Sequence, residues 1–136
     1  LVFFFIFFSV SLSWNMLFFP LTFFILIMAG MTLGLLITPL GMLFNDVSKF
    51  IALALRFVMY VTPVVYTIPK EGLLKTLMEW NPLTPLILIN RNVLLGLELS
   101  FLNYFIGITL FIIPLLLLAL LIYRVSIPVI VERFSA

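Results

Sequence analysis

Arg56 stands inside an apolar run, about residues 50–65. A full charge there is costly and therefore often functional. By helical rise it lies about 10 Å from the polar turn Asn45-Asp46-Val47-Ser48-Lys49. Two chemistries are open to it. The side chain can snorkel to headgroups on the side of the turn. Or it can face other helices and bind a phosphate, for which a guanidinium is a good partner. Tyr60 is a ring candidate beside it, as are Tyr66, Trp80 and Tyr104, although interfacial aromatic belts account for rings equally well. Asp46 and Lys49 are the only charges in the turn and could dock a partner protein. The plainer alternative is a solvated turn with Asp46 as the N-terminal cap of the next helix. Arg91 and Glu98 are seven residues apart. On one helix they would share a face at a separation too large for a direct pair. Arg91 would then anchor a turn by bonding freed carbonyls or a lipid phosphate, or simply sit at an interface.

Other chemistries are excluded. The chain has no Cys and no His. That removes disulfides, thiol catalysis, zinc-type metal sites and histidine proton relays. Its 5 acids are scattered, with no two close together inside an expected span, so paired acid–base work has no candidates and an enzyme is disfavoured. No G-x-x-x-x-G-K-[ST] phosphate loop occurs. No clustered basic face for nucleic acid is visible.

The elements that must position these residues are helices in a bilayer. The chain is 65% hydrophobic and 9% charged, with a mean hydropathy of +1.41. A soluble domain carries about 25% charged residues. The expected fold is an all-α integral membrane protein, a helical transmembrane bundle forming a single domain over 1–136. The opening LVFFFIFF lacks the basic start of a signal peptide. It is expected to be a partial span, about 1–13, of a longer protein. Ser11, Ser13, Trp14, Asn15 and Pro20 then mark a turn at an interface. Further spans are expected at about 21–44, 50–65 and 101–123, with Pro39 and Pro114 kinking or ending their helices. Residues 124–136 are expected to be a short tail. Gly30 and Gly34 form a small-xxx-small pair suited to helix packing, although a dimer face or coincidence would give the same pattern. Leu73 to Trp80 reads as a short amphipathic helix with Lys75 and Glu79 at i,i+4.

The stretch NPLTPLILINRNVLLG, residues 81–96, is too short to cross and too apolar for an ordinary loop. If it dips in and returns, the turn carrying Lys49 and the tail carrying Arg124 and Arg133 share the cytoplasmic side, as the positive-inside rule favours. Residues 66–98 are therefore expected to form a re-entrant or interfacial outer helical hairpin before the last span. Pro82 and Pro85 favour a broken start followed by a short helix.

Thr62-Pro63-Val64-Val65-Tyr66, Asn81-Pro82-Leu83-Thr84-Pro85, Arg91 and Leu94-Leu95-Gly96 resemble, in order and spacing, the membrane subunit of type-two ABC exporters. The likeness is to the permeases for polysaccharide, O-antigen and teichoic-acid export. In that family a span ends in Ser/Thr-Pro-Val-x-Tyr. An outer hairpin of gate helices with an Asn-Pro motif follows, then a last span and a short tail. Asn45-Asp46-Val47 is similar to the family's cytoplasmic turn, with Asn45 where Arg is usual; Val131-Glu132-Arg133-Phe134 is also similar. The resemblance covers the chain from about Leu21 onward.

It implies a multi-pass permease of the cytoplasmic (inner) membrane, here in its C-terminal portion. It implies no enzyme activity or cofactor of its own, ATP being bound and hydrolysed by a partner ABC ATPase subunit, and no metal. Asn45, Asp46 and Lys49 would form the ATPase-coupling turn. Arg56 and Tyr60 would line the substrate path, with Arg56 meeting the phosphate of a lipid-linked glycan. Pro63, Tyr66, Asn81, Pro82 and Arg91 would belong to the outer gate. A homodimer of permeases would complete the pore, and the bilayer, not nucleic acid, surrounds it. The alternatives are an ABC exporter of a drug or small lipid, an ion-coupled secondary transporter and a membrane-anchoring scaffold. Secondary transporters tend to carry midplane ionisable groups and internal repeats. Here Arg56 is the single such group, and no repeat is visible.

Overall fold

The computed structural model describes residues 14–64, 66 and 68–135. The expected partial span over 1–13, Val65 of the Thr62–Tyr66 motif and the side chains of residues 133–135, Arg133 among them, lie outside the described residues. A 3-10 turn, Trp14–Phe18, runs straight into helix α1, Phe19–Leu43. The expected interfacial turn through Pro20 is thus part of the helical entry. Pro20 sits in the first turn, where its missing N–H would have had no helical partner anyway. Pro39 does not end α1, which continues to Leu43.

One extended residue, Phe44 (φ −133, ψ 109), joins α1 to α2, Asn45–Val61. Its N–H donates to the Leu40 carbonyl at 3.1 Å, and its own carbonyl accepts from Ser48 N–H at 3.2 Å. The polar cluster 45–49 is therefore the first turn of α2 and not a break before it. Phe44 holds the cap position without a side-chain bond, so Asp46 is not the cap. It lies in the first turn, where its charge suits the helix dipole. The helix has 17 residues and carries Asp46, Lys49 and Arg56. At about 1.5 Å per residue it is shorter than a hydrocarbon core of about 30 Å. Where a span is expected at 50–65, the helix covers 45–61 and is amphipathic. Among the described residues, two helical segments are long and apolar enough to cross a membrane: Trp14–Leu43 and Leu102–Glu132.

Helix α3, Leu73–Trp80, forms with the expected bounds, and Lys75 Nζ lies 3.9 Å from Glu79 Oε1. Helix α4, Leu83–Leu95, follows Asn81-Pro82. Pro85 is accommodated in its first turn. Its end is set by Gly96, whose φ of +67 is left-handed. There Gly96 N–H donates to Val93 O at 3.4 Å and Leu97 N–H to Asn92 O at 2.9 Å, a Schellman closure. The last helix, α5, runs from Leu102 to Ser135 through Pro114 and Pro128. The separate tail expected from 124 is instead the end of this helix. Each proline removes one helical bond, and the residues after Tyr123 include no glycine or polar cluster to stop it.

The core is built on α4. Seven of its 13 residues are buried. Leu86, Ile89 and Val93 meet Ala29 of α1 and Phe105 and Ile112 of α5. By contrast α2 buries no residue. Thr22, near the start of α1, bonds Asn90 near the end of α4. Ala29, Thr32 and Leu33 share a cavity wall with Pro82, Leu83 and Leu86. Hence α4 runs opposite to α1. After the reversal at 96–101, α5 runs opposite to α4 and alongside α1.

Gly96→Ala should lower stability by about 1–2 kcal/mol, the cost of a Cβ in the left-handed region. Gly30→Ala should be neutral or stabilising by up to about 1 kcal/mol, because an added Cβ there has no atom within 4 Å. Denaturant titration in mixed micelles separates the two. Equal effects would contradict the assigned backbone geometry.

Candidate functional site

A 13-residue helix is about 20 Å long and cannot cross a bilayer by itself. Its ends therefore need partners for polar backbone, and three asparagines supply them. Asn90 lies on the buried face defined by Leu86, Ile89 and Val93 at helical spacing and is 7% exposed. Its side-chain amide donates to Leu86 O at 2.7 Å and to Thr22 O at 3.2 Å. Its Oδ1 lies 3.0 Å from the Thr22 hydroxyl, which also lies 3.1 Å from Phe19 O. Asn90 thereby clamps the end of α4 to the start of α1.

Asn81 works at the other end. Its Nδ2 donates to Thr62 Oγ1 at 2.9 Å, while the Thr62 hydroxyl donates to Val58 O at 2.7 Å. Its Oδ1 accepts from Leu83 N–H at 3.0 Å, and its carbonyl accepts from Thr84 N–H at 3.1 Å. Its own N–H donates to Leu77 O at 3.1 Å. One side chain thus ties the end of α2 to the start of α4, directly after α3. Thr62 and Pro63 are buried there. Thr84 is also buried, and its hydroxyl has no partner among the described residues. Asn92 stitches the reversal after α4, donating to Glu98 O at 2.9 Å and Ser100 Oγ at 3.1 Å. Tyr104 OH donates to Trp80 O at 3.1 Å, linking α5 to the end of α3.

Among the residues singled out from sequence, Asn81, Pro82 and Pro63 gather at this junction. Pro82 is exposed. Tyr66 is exposed, and its hydroxyl donates to the Tyr60 carbonyl. Arg91 is half-buried and has no hydrogen bond or ion pair among the described residues, Glu98 included. Its neighbours Asn90 and Asn92 make bonds to backbone carbonyls. Their signal was positional: Asn90 falls in register with Leu86, Ile89 and Val93.

The remaining candidates lie apart. Asp46 and Lys49 pair at 3.7 Å, but at 99% and 81% side-chain exposure the pair adds little stability. Val47, Ile51, Ala54, Val58 and Val61 are the half-buried residues of α2, at three- and four-residue spacing. Arg56 and Tyr60 lie on the opposite side of that helix and are exposed, so Arg56 does not face the core of this chain. Gly30 and Gly34 are exposed with open space beside them, so they pack against nothing described within the chain. The packing face of α1 carries Thr22, Ala29 and Thr32 instead.

Only 17% of each membrane-length window is buried, whereas the core helix of a water-soluble protein would be mostly buried. Among the described residues no group of three acidic side chains could hold a metal ion. No family model, curated protein or solved structure matches the chain.

Asn90→Leu and Thr22→Val should each cost about 1–2 kcal/mol. The double variant should cost less than their sum, since exchanging both partners for apolar groups leaves fewer orphans. Strict additivity in a double-mutant cycle would exclude the clamp. At the other end, Asn81→Asp keeps the acceptor for Leu83 N–H but loses the donor to Thr62. Amide exchange should rise near Thr62 alone in that variant, and near both Thr62 and Leu83 in Asn81→Ala. Unchanged exchange at Thr62 in both would mean that this bond does not hold the junction.

Proposed function

We propose that this chain is the C-terminal part of the permease subunit of an ATP-driven exporter of the type-two ABC class, moving a polysaccharide or lipid-linked glycan across the cytoplasmic membrane. The observation that carries the reading is α4. It is a half-length apolar helix opened by Asn81-Pro82 and buried between two helices of membrane length. Non-helical backbone at membrane depth is tolerated only where protein or a wet cavity satisfies it. The bonds of Asn81 serve the backbone that opens the helix, and Asn92 serves the Glu98 carbonyl just after its end. In this reading residues 66–98 form a re-entrant outer cap, with Pro63, Tyr66, Asn81, Pro82 and Arg91 in the gate.

In this class the energy comes from a separate ABC ATPase subunit, and these 136 residues carry no phosphate loop of their own. Asn45, Asp46 and Lys49, exposed where α2 begins, form the docking turn. A second permease copy completes the pore. Arg56 and Tyr60, directed away from the core, would then line the path where the copies meet. A guanidinium there would bind the phosphate of a lipid-linked cargo.

The test is gentle extraction of the protein from its native membrane, identification of what co-purifies, and assay of ATP hydrolysis. A stoichiometric partner with a Walker-type phosphate loop, and ATPase activity stimulated by a lipid-linked glycan, is the expected result. Stimulation only by a drug or small lipid would keep the exporter and replace the cargo. A clean preparation without ATPase would overturn the proposal in favour of an ion-coupled transporter.

A further inference from the structure

Between α1, the start of α4 and α5 lies a cavity of about 210 Å³. Its walls include Ala29, Leu33, Pro82, Leu86, Ile112 and Leu115, and they expose no polar surface. Thr32 also borders it, but its hydroxyl is turned to the Met28 carbonyl at 2.7 Å. An apolar cavity of about 150 Å³ stays dry and takes benzene-sized apolar guests. The present one is larger and has nothing to hold water or a sugar. It opens outward beside Leu33 and Phe111, which are 43% and 65% exposed.

Position identifies the occupant. Residues 29–33 are midway along α1, and residues 108–115 are midway along the apolar part of α5. In a chain whose two long helices cross a bilayer, that level is the hydrocarbon centre, and the mouth opens onto the surface those helices present to it. We infer that the cavity binds one acyl chain of a bilayer phospholipid, whose terminal segment lies against Pro82 and Leu86 where α4 begins. The chain supplies the wall that the half-length helix lacks on this side, so lipid packs against the same junction that Asn81 ties together. The inference rests on the two long helices spanning a bilayer and not on the nature of the cargo or the presence of an ATPase.

The test uses the purified protein in phosphatidylcholine vesicles doped with phosphatidylcholine bearing a diazirine near the acyl terminus. After irradiation, cross-links are mapped by mass spectrometry. Labelling of residues 29–33, 82–86 and 112–115 should exceed severalfold that of Leu117 and Leu121, which are exposed on the same helix without a cavity. It should fall when the diazirine is moved next to the headgroup. Leu33→Trp, at the mouth, should bring cavity labelling down to the Leu117 level. Leu118→Trp, on the exposed face, should not. Wild-type labelling alone is decisive should Leu33→Trp fail to fold. Uniform labelling along α5 would overturn the inference. So would a cavity protected from lipid by residues 1–13 or by a second copy, seen as protein–protein cross-links there.

Discussion

Unpaired backbone at the ends of a short helix is expensive wherever water is absent, and the arrangement of this chain is organised around that cost. A membrane-length helix can leave its terminal N–H and carbonyl groups in the headgroup region. Helix α4 has 13 residues and is packed between α1 and α5, so its ends fall among side chains. The start is satisfied by Asn81, whose side chain accepts from Leu83 N–H and reaches Thr62 with its remaining donor. The finish is satisfied by the Gly96 closure, and Asn92 reaches past it to the Glu98 carbonyl. Asparagine suits both places because it carries a donor and an acceptor without a charge. A carboxylate or ammonium in the same positions would bring a desolvation cost of its own.

The prolines follow the same logic from the other direction. Pro20 and Pro85 occupy first turns, where a helix lacks a partner for the N–H in any case. Pro39, Pro114 and Pro128 lie inside helices that continue past them. Where there is no water to reward an open carbonyl, ending the helix would free several backbone groups, whereas continuing frees one. Thr38, Thr32 and Thr109 add hydroxyl bonds to carbonyls four residues earlier, so some of this backbone is doubly served.

Much of this was legible in the sequence, and the failures share a cause. Composition points to an all-helical chain, and the apolar runs at 21–44 and 101–123 and the short one beginning at Asn-Pro correspond to helices, while the run at 50–65 corresponds to an amphipathic helix starting earlier, at Asn45. The i,i+4 spacing of Lys75 and Glu79 located α3 to the residue. The differences fall where a proline or a polar cluster suggests a boundary that the helix does not observe. Helix α5 passes Pro128, and α2 starts inside the Asn45–Lys49 cluster. The site was legible in part. The Asn81-Pro82 motif is visible in the sequence, whereas Asn90 and Asn92 are marked only by position: a buried helix requires neutral groups that both donate and accept. The grip of Thr22 on Asn90 spans 68 positions and has no local pattern.

Helix α2 connects the two ends of the chain's chemistry. It begins with the exposed Asp46–Lys49 pair one residue after α1 ends, and it finishes at Thr62, bonded to Asn81 where α4 starts. No residue of it is fully buried, but a half-buried stripe, Val47, Ile51, Ala54, Val58 and Val61, runs its length. Polar bonds hold both tips: Phe44 at one and the Thr62–Asn81 bond at the other. The residues that begin α2 and the residues that open α4 are therefore joined through the backbone bonds of one helix and a single side-chain hydrogen bond.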